Sequence, residues 1–382
     1  MTRKISCPEG LSDILPKACK QRERVMDLVK EHLDLCGYKP IHTPVLEHYE
    51  VFCDGKKFQD NKLLCKFIDM NGNILALRPD MTVPAARLTA LNLLPSMEPL
   101  KLYYSGNAYR VDRQQSKISE LMQIGGEIFG DEGFLSDVES MVNACEALKR
   151  AGLNNFRLDI GCTQITKLAV SKLEISNNEK ERLLSLIENK SFVELENFLE
   201  EAEVEENIKD VIRAIPKLFG KANVIIKEIE KWLVEEEYLT YIERLKNICS
   251  ILHEMGYEDC LNIDIAMPSL MGYYTGITFC GYSSRAGSPI FSGGRYDRLF
   301  DEFGIYEPAV GFAIYVDILM KVLGEQSDEK ENTEIIYYTK DNYSECYRNA
   351  MMLRDKGTIV TLLPAQRGEK NAEDSFIKGS NS

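Results

Sequence analysis

No apolar run in the 382-residue sequence approaches the roughly 18 to 20 residues that a bilayer-crossing helix needs. The opening stretch, MTRKISCPEG, contains no apolar core of the kind a secretion signal requires. Histidine is scarce: the four residues His32, His42, His48 and His253 have no ligand spacing, so no zinc or other metal site is expected. The eleven cysteines form no C-x-x-C pair, and an odd number of scattered thiols without a secretion signal fits a reducing, cytoplasmic setting. Positive charge is the minority. With 46 Lys and Arg against 60 Asp and Glu the net charge is −14, which argues against a general nucleic-acid partner, because phosphate contacts need clustered cations. No nucleophile–base pair stands out, and no cofactor is expected. What remains is ordinary for a globular chain: 44% hydrophobic and 28% charged residues, enough for two or three domains with a large core.

Residues 17–37 place Val25, Met26, Val29 and Leu33 at helical spacing and stop at Gly37. Residues 38–46 carry Pro40 and Pro44 and read as extended. CKFIDMNGNILALRPD reads as a hairpin turning at Asn71-Gly72, followed by a helix with Pro84 in its first turn. LKLYYSGNAYRVD and LMQIGGEIFG are strand-like, joined by a polar loop over Gln114–Glu120. SDVESMVNACEALKRAG is an amphipathic helix, with Ser136 as expected N-cap and Glu139 completing a capping box. From about 164 to 255 the chain turns rich in Glu, Lys and Leu with helical periodicity, and the single tryptophan, Trp232, reads as core. Sheet character returns at 261–265, 273–280 and 288–292, and PAVGFAIYVDILMKVLG reads as an apolar helix. A charged linker then leads to one βαβ unit of about 30 residues.

Three segments carry the chemistry: LRPDMT at 77–82, YRVDRQQSKISELMQIGGEIFG at 109–130, and the pair GYYTGITF and SGGRYDRLFDEFGIYEPAVGFAI. With PEGLSDILP at 8–16, their order and spacing resemble the catalytic core of class II histidyl-tRNA synthetases over residues 1 to about 320. The resemblance implies an α+β fold: a class II aminoacyl-tRNA synthetase-like antiparallel sheet flanked by helices. The expected division is 1–163 and 256–322 for the core, 164–255 for a helical insertion, 332–364 for a truncated βαβ remnant of an anticodon-binding-like domain, and 365–382 for a disordered tail.

The resemblance also implies an amino-acid pocket. Asp80 and Thr82 match positions beside the ligand's ammonium, although the family more often has Glu where Asp80 stands. Gln123 and Glu127 match the pair that faces histidine, and Tyr273 and Tyr274 match the tyrosines beside the imidazole. On residue chemistry alone, Asp80 could instead cap the following helix, Gln123 and Glu127 could be sheet residues, and the tyrosines could be core.

Activating a carboxylate with ATP brings two anions together, so such a site needs cations. Arg110 fills the place of the family's α-phosphate arginine. The other places are empty of positive charge. The loop QQSKISELMQ has Lys117 as its only cation, Ser269 stands where the histidine-specific motif has arginine, and Asp317-Ile318 stand where the third motif ends in Glu-Arg. A pocket retained without its nucleotide arginines, together with a shortened C-terminus, is similar to the regulatory subunits of ATP phosphoribosyltransferase, which serve the first step of histidine biosynthesis. That resemblance implies a non-catalytic chain that pairs with a short-form catalytic subunit in a hetero-octamer, dimerises through its synthetase-like core, and takes histidine as effector. A divergent histidyl-tRNA synthetase, a synthetase-like regulator of another process, and an enzyme with new chemistry on this scaffold remain open at this point.

Overall fold

The computed structural model of the chain describes residues 7–53, 64–112, 117–202, 204–268, 272–325 and 332–365. The chain divides into two compact units, Met1–Gly324 and Glu325–Ser382.

The first unit opens with α1 (Pro16–Leu35), whose Val25, Met26, Val29 and Leu33 are all buried. Each such side chain contributes about 1.5–3 kcal/mol of apolar burial. Strand β1 (Lys39–Pro40) is short because its prolines allow little pairing. β2 (Leu46–His48), the short helix α2 (Glu50–Cys53), β3 (Lys66–Ile68) and β4 (Ile74–Leu77) follow, with the three strands forming a small antiparallel sheet. The hairpin between β3 and β4 closes as expected: Asp69 accepts from the Asn71 and Asn73 amides at 2.8 Å each, and Gly72 takes φ +87°. Helix α3 (Thr82–Asn92) leads into the long antiparallel pair β5 (Leu100–Asp112) and β6 (Lys117–Phe129), so part of the expected polar loop is strand.

Helix α4 (Phe134–Arg150) starts two residues before the expected N-cap. Ser136 therefore sits inside the first turn, where its hydroxyl donates to Gly133 O at 2.7 Å, and Glu139 pairs with Lys101 at 2.5 Å. A full capping box occurs at Ser176 and Glu179 instead. After β7 (Arg157–Cys162) come α5 (Thr163–Ser171), α6 (Asn177–Glu188), α7 (Phe192–Glu201), α8 (Glu206–Ala214), strand β8 (Phe219–Lys221), α9 (Ala222–Trp232) and α10 (Glu236–Glu254). These helices share one apolar cluster with the sheet: Leu183, Leu199, Ile212 and Leu245 belong to the same core as Leu158 and Ile160. Trp232 is not core. It is 43% exposed at the end of α9, because the buried stripe of that helix runs through Ala222, Ile225 and Ile229.

β9 (Leu261–Asp264), β10 (Ile277–Tyr282), β11 (Phe291–Arg295) and β12 (Ala309–Tyr315) complete the sheet, and α11 (Val316–Leu323) follows. The strand order is β1-β5-β6-β12-β11-β10-β7-β9-β8, antiparallel except for the parallel pairs β1–β5 and β7–β9. Two readings change here. Residues 309–315 are a central strand rather than the first half of a helix, since a strand covered on both faces loses the two-residue alternation that would reveal it. The expected strand at 273–280 begins only at Ile277, which leaves Tyr273 and Tyr274 in the preceding turn.

The second unit is β13 (Thr333–Tyr338), α12 (Tyr343–Arg354) and β14 (Ile359–Pro364), with its two strands parallel. Cys346 and Ala350 of the helix and Val360 of the strand form its buried centre. Apart from Ala365, the tail expected at 365–382 lies outside the described residues. No helix among the described residues is long and apolar enough to cross a membrane.

Candidate functional site

A cleft enclosing about 330 Å³ of free space, mouth included, opens on one face of the central sheet. Register explains its shape. On β6, Gln123, Gly125 and Glu127 share a face, and β12 sets Tyr315, Ala313 and Gly311 opposite them. β11 adds Ser292 and Gly294 beside Ala313 and Gly311, and β5 adds Tyr104 beside Gly125. Small residues in the middle rows leave a hollow, and large polar side chains close its ends. The hollow is sterically enforced: a Cβ at Gly311 would lie 1.5 Å from Glu127 Oε2, and one at Gly294 would lie 2.8 Å from the Tyr274 ring.

The start of α3 supplies Asp80 and Thr82. Both are buried, and Asp80 Oδ1 accepts from the Val83 amide at 3.1 Å. Asp80 thus caps its helix with one oxygen, while among the described residues no donor reaches the buried Oδ2. Burial pushes the Asp80 carboxyl up to about 6, against the partial opposition of the Val83 amide, Arg110 and the Tyr273 hydroxyl. Gln123 is likewise buried, and among the described residues its Oε1 also lacks a donor. Arg110 on β5 donates from Nε to Pro79 O at 3.0 Å and, among the described residues, is the only cation lining the cleft.

Glu127, on the same face of β6 as Gln123, is held by three hydroxyls. Its Oε1 accepts from the Thr82 hydroxyl at 2.8 Å and the Tyr104 hydroxyl at 3.0 Å, and its Oε2 accepts from Tyr296. The carboxylate ties α3, β5 and the segment after β11 together, and it bonds directly to the cleft-lining Thr82 and Tyr296. Burial raises its pKa to about 7, with the three hydroxyls pulling the other way. Tyr273 and Tyr274 stack edge to face with ring centres 5.2 Å apart, and Tyr273 meets Tyr296 at 5.6 Å.

Six of the seven sequence-expected residues, Asp80, Thr82, Arg110, Gln123, Tyr273 and Tyr274, therefore line one cleft, and the seventh, Glu127, is bonded to Thr82 on the same face. Sequence reasoning missed Tyr104, Ser292, Tyr296, Gly311, Ala313 and Tyr315. Tyr296 sits inside the quoted SGGRYD stretch, but which strands face one another is a matter of register that one sequence does not display.

Asp317 and Ile318, at the third motif's Glu-Arg places, make structural contacts. Asp317 accepts from the Met122 amide at 3.0 Å and lies 4.0 Å from Arg22, while Ile318 packs against the core. Lys117 lies 3.6 Å from Glu9. Ser269 falls outside the described residues. The arginine of LRPD, Arg78, is buried and spends its donors on Asn107 O, Thr43 and Pro44 O. Among the described residues no group of three or more His, Cys, Asp and Glu is placed to hold a metal ion.

The histidyl-tRNA synthetase family profile matches residues 10–319. The chain is 33% identical over 362 residues to the ATP phosphoribosyltransferase regulatory subunit of Alkaliphilus metalliredigens, covering 94% of this chain and 91% of that protein. It is 35% identical to the regulatory subunit of Clostridium kluyveri, covering 93% and 92% respectively. A crystal structure described as an ATP phosphoribosyltransferase regulatory subunit/histidyl-tRNA synthetase from Bacillus halodurans superposes with a TM-score of 0.84 at 31% identity, over 94% of this chain and 93% of that one. The class II synthetase fold, the near-complete coverage and the cation-poor cleft converge: the chain belongs to the ATP phosphoribosyltransferase regulatory subunits, the non-catalytic branch of the histidyl-tRNA synthetase family.

Proposed function

We propose that the cleft binds free histidine and that the chain uses its occupancy to set the activity of a short-form catalytic ATP phosphoribosyltransferase subunit. The observation that carries this reading is the pair of acceptors, Asp80 Oδ2 and Gln123 Oε1, left without a donor among the described residues and buried in a cleft whose described lining has one cation, Arg110. A buried acceptor without a donor costs about 1–3 kcal/mol, so the cleft favours a ligand that supplies two N–H groups and one carboxylate. Histidine does so with its ammonium, imidazole and carboxyl group. The tyrosine pair adds aromatic surface to the cleft wall. Thr82, held by Glu127, presents its hydroxyl beside Asp80.

In this reading the chain dimerises through its synthetase-like core, joins the catalytic subunit in a hetero-octamer, and works in the cytoplasm without nucleic acid. Regulation requires histidine to favour one quaternary state over the other. Mixing the purified chain with a short-form catalytic subunit should yield phosphoribosyl transfer that neither shows alone, and histidine should inhibit it. A mixture as inactive as its parts, or one indifferent to histidine, would refute the proposal.

Asp80 makes binding pH-dependent. Its folded pKa is raised, so in the empty protein its stabilising protonated form is complete below the unfolded value near 4 and is lost as pH rises through about 6. A ligand ammonium favours the ionised form. Histidine should therefore bind more tightly as pH rises through about 6, with proton release below that pH. The ligand's own imidazole titrates in the same window. Calorimetry on wild type and Asp80→Asn separates the two: the variant should bind on the order of 100-fold more weakly at pH 7.5 and lose much of the pH slope. Equal affinities would remove Asp80 from the site.

A further inference from the structure

Three consecutive backbone carbonyls, those of Tyr274, Thr275 and Gly276, are taken by side chains of a single helix. Thr163 donates to Gly276 O from both its amide and its hydroxyl at 3.1 Å. Gln164 Nε2 donates to Thr275 O, and Lys167 Nζ donates to Tyr274 O at 2.9 Å. All three residues lie in the first five positions of α5, the first of the run of helices between β7 and β9. On the other side the same turn is fastened by Thr275 N to Arg295 O at 2.8 Å, and by the Asp297 amide to Thr275 Oγ1 at 2.9 Å.

A turn that precedes a strand has no ladder to satisfy its carbonyls, so each needs another donor or water. Water would serve at low cost on an open surface. Here an amide and an ammonium are committed instead, and Lys167 is partly buried enough that its pKa is lowered by desolvation. Burial disfavours the Lys167 charge, Glu188 partly offsets that, and the ammonium fixes one carbonyl. The carbonyl belongs to Tyr274, whose ring, with that of Tyr273, walls the cleft.

We infer that α5 positions the tyrosine pair of the cleft from outside it, with Thr163, Gln164 and Lys167 fixing the turn that carries Tyr273 and Tyr274. The helix also packs against α8 and α10, so displacement of the helical block displaces the tyrosines, and ligand pressing on the tyrosines displaces the block. A second tie runs the same way: Arg244 of α10 and Arg295 of β11 share the buried carboxylate of Asp137. The consequence for ligand affinity rests on the histidine reading above, whereas the positioning role does not.

The test uses the full chain and the pair of substitutions Gln164→Leu and Lys167→Met, with Lys167→Arg as the conservative variant. Hydrogen–deuterium exchange in the unliganded protein should accelerate about fivefold or more across 272–280 and stay unchanged across 121–129 of β6. L-Histidine affinity should fall about tenfold, and Lys167→Arg alone, which keeps a donor, should remain within about threefold of wild type. Unchanged exchange at 272–280 overturns the inference whatever histidine does. Acceleration over the whole chain overturns it as well, since that reports general destabilisation. Local acceleration in a protein whose wild type binds no histidine upholds the positioning role and overturns only the identity of the ligand.

Discussion

Given ATP, Mg²⁺ and histidine, the purified chain will show no histidine-dependent ATP–pyrophosphate exchange above background. The reason is electrostatic. Adenylation places an amino-acid carboxylate against a triphosphate, and a site that manages this surrounds the α-phosphate with preorganised positive charge. Among the described residues the cleft offers Arg110 alone. Asp317 brings a carboxylate to a position where the resemblance implies an acidic–arginine pair, and it holds the Met122 amide rather than a nucleotide. Losing one preorganised donor costs roughly 10²–10³ in rate, so the loss of several removes useful activity. Exchange at a synthetase-like rate would overturn this account and favour the divergent-synthetase reading. Restoring one arginine, as in Ser269→Arg, is not expected to rescue exchange.

Asp137→Ala will be the most destabilising of the single substitutions considered. The Asp137 carboxylate is wholly buried at the head of α4. It accepts from Arg295 Nε at 2.7 Å on one oxygen and from Arg244 Nε at 2.7 Å on the other. Burial raises its pKa, with both guanidinium groups opposing. Removing it leaves Arg295, only 4% exposed at its side chain, without its principal counter-charge in the core; Asp297 at 3.0 Å is a more exposed second partner. Breaking a buried pair from one side costs about 3–5 kcal/mol, which lowers the melting temperature by about 4–7 °C in a unit of this size. Arg244→Gln should cost much less, because that side chain is 26% exposed and water can reach what it leaves behind. Thermal melts followed by circular dichroism decide the matter: a shift under about 2 °C for Asp137→Ala would show that the pair is not structural.

The residues most legible in the sequence were those whose role is local. The hairpin turned at Asn71-Gly72, Pro84 fell in the first turn of α3, and the α1 stripe was buried as its period required. The errors share a cause. The strand at 309–315 looked helical because it is covered on both faces, and Ser136 looked like a cap because its true partner, Arg295, is 159 residues away. The motifs pointed to six cleft residues and to Glu127, but not to the hydroxyls that hold that carboxylate. The convergence of Thr82, Tyr104 and Tyr296 on Glu127 depends on side chains from three distant segments.

By itself the sequence determined the fold class, the order of the motifs and the scarcity of cations around a site that handles anions. These follow from residue type and spacing along the chain. Only the tertiary structure decided which acceptors stay unpaired, where the hollow lies and that α5 grips the tyrosine turn. Hydrogen bonding and burial are set by strand register and helix packing, which bring together atoms that are more than a hundred residues apart.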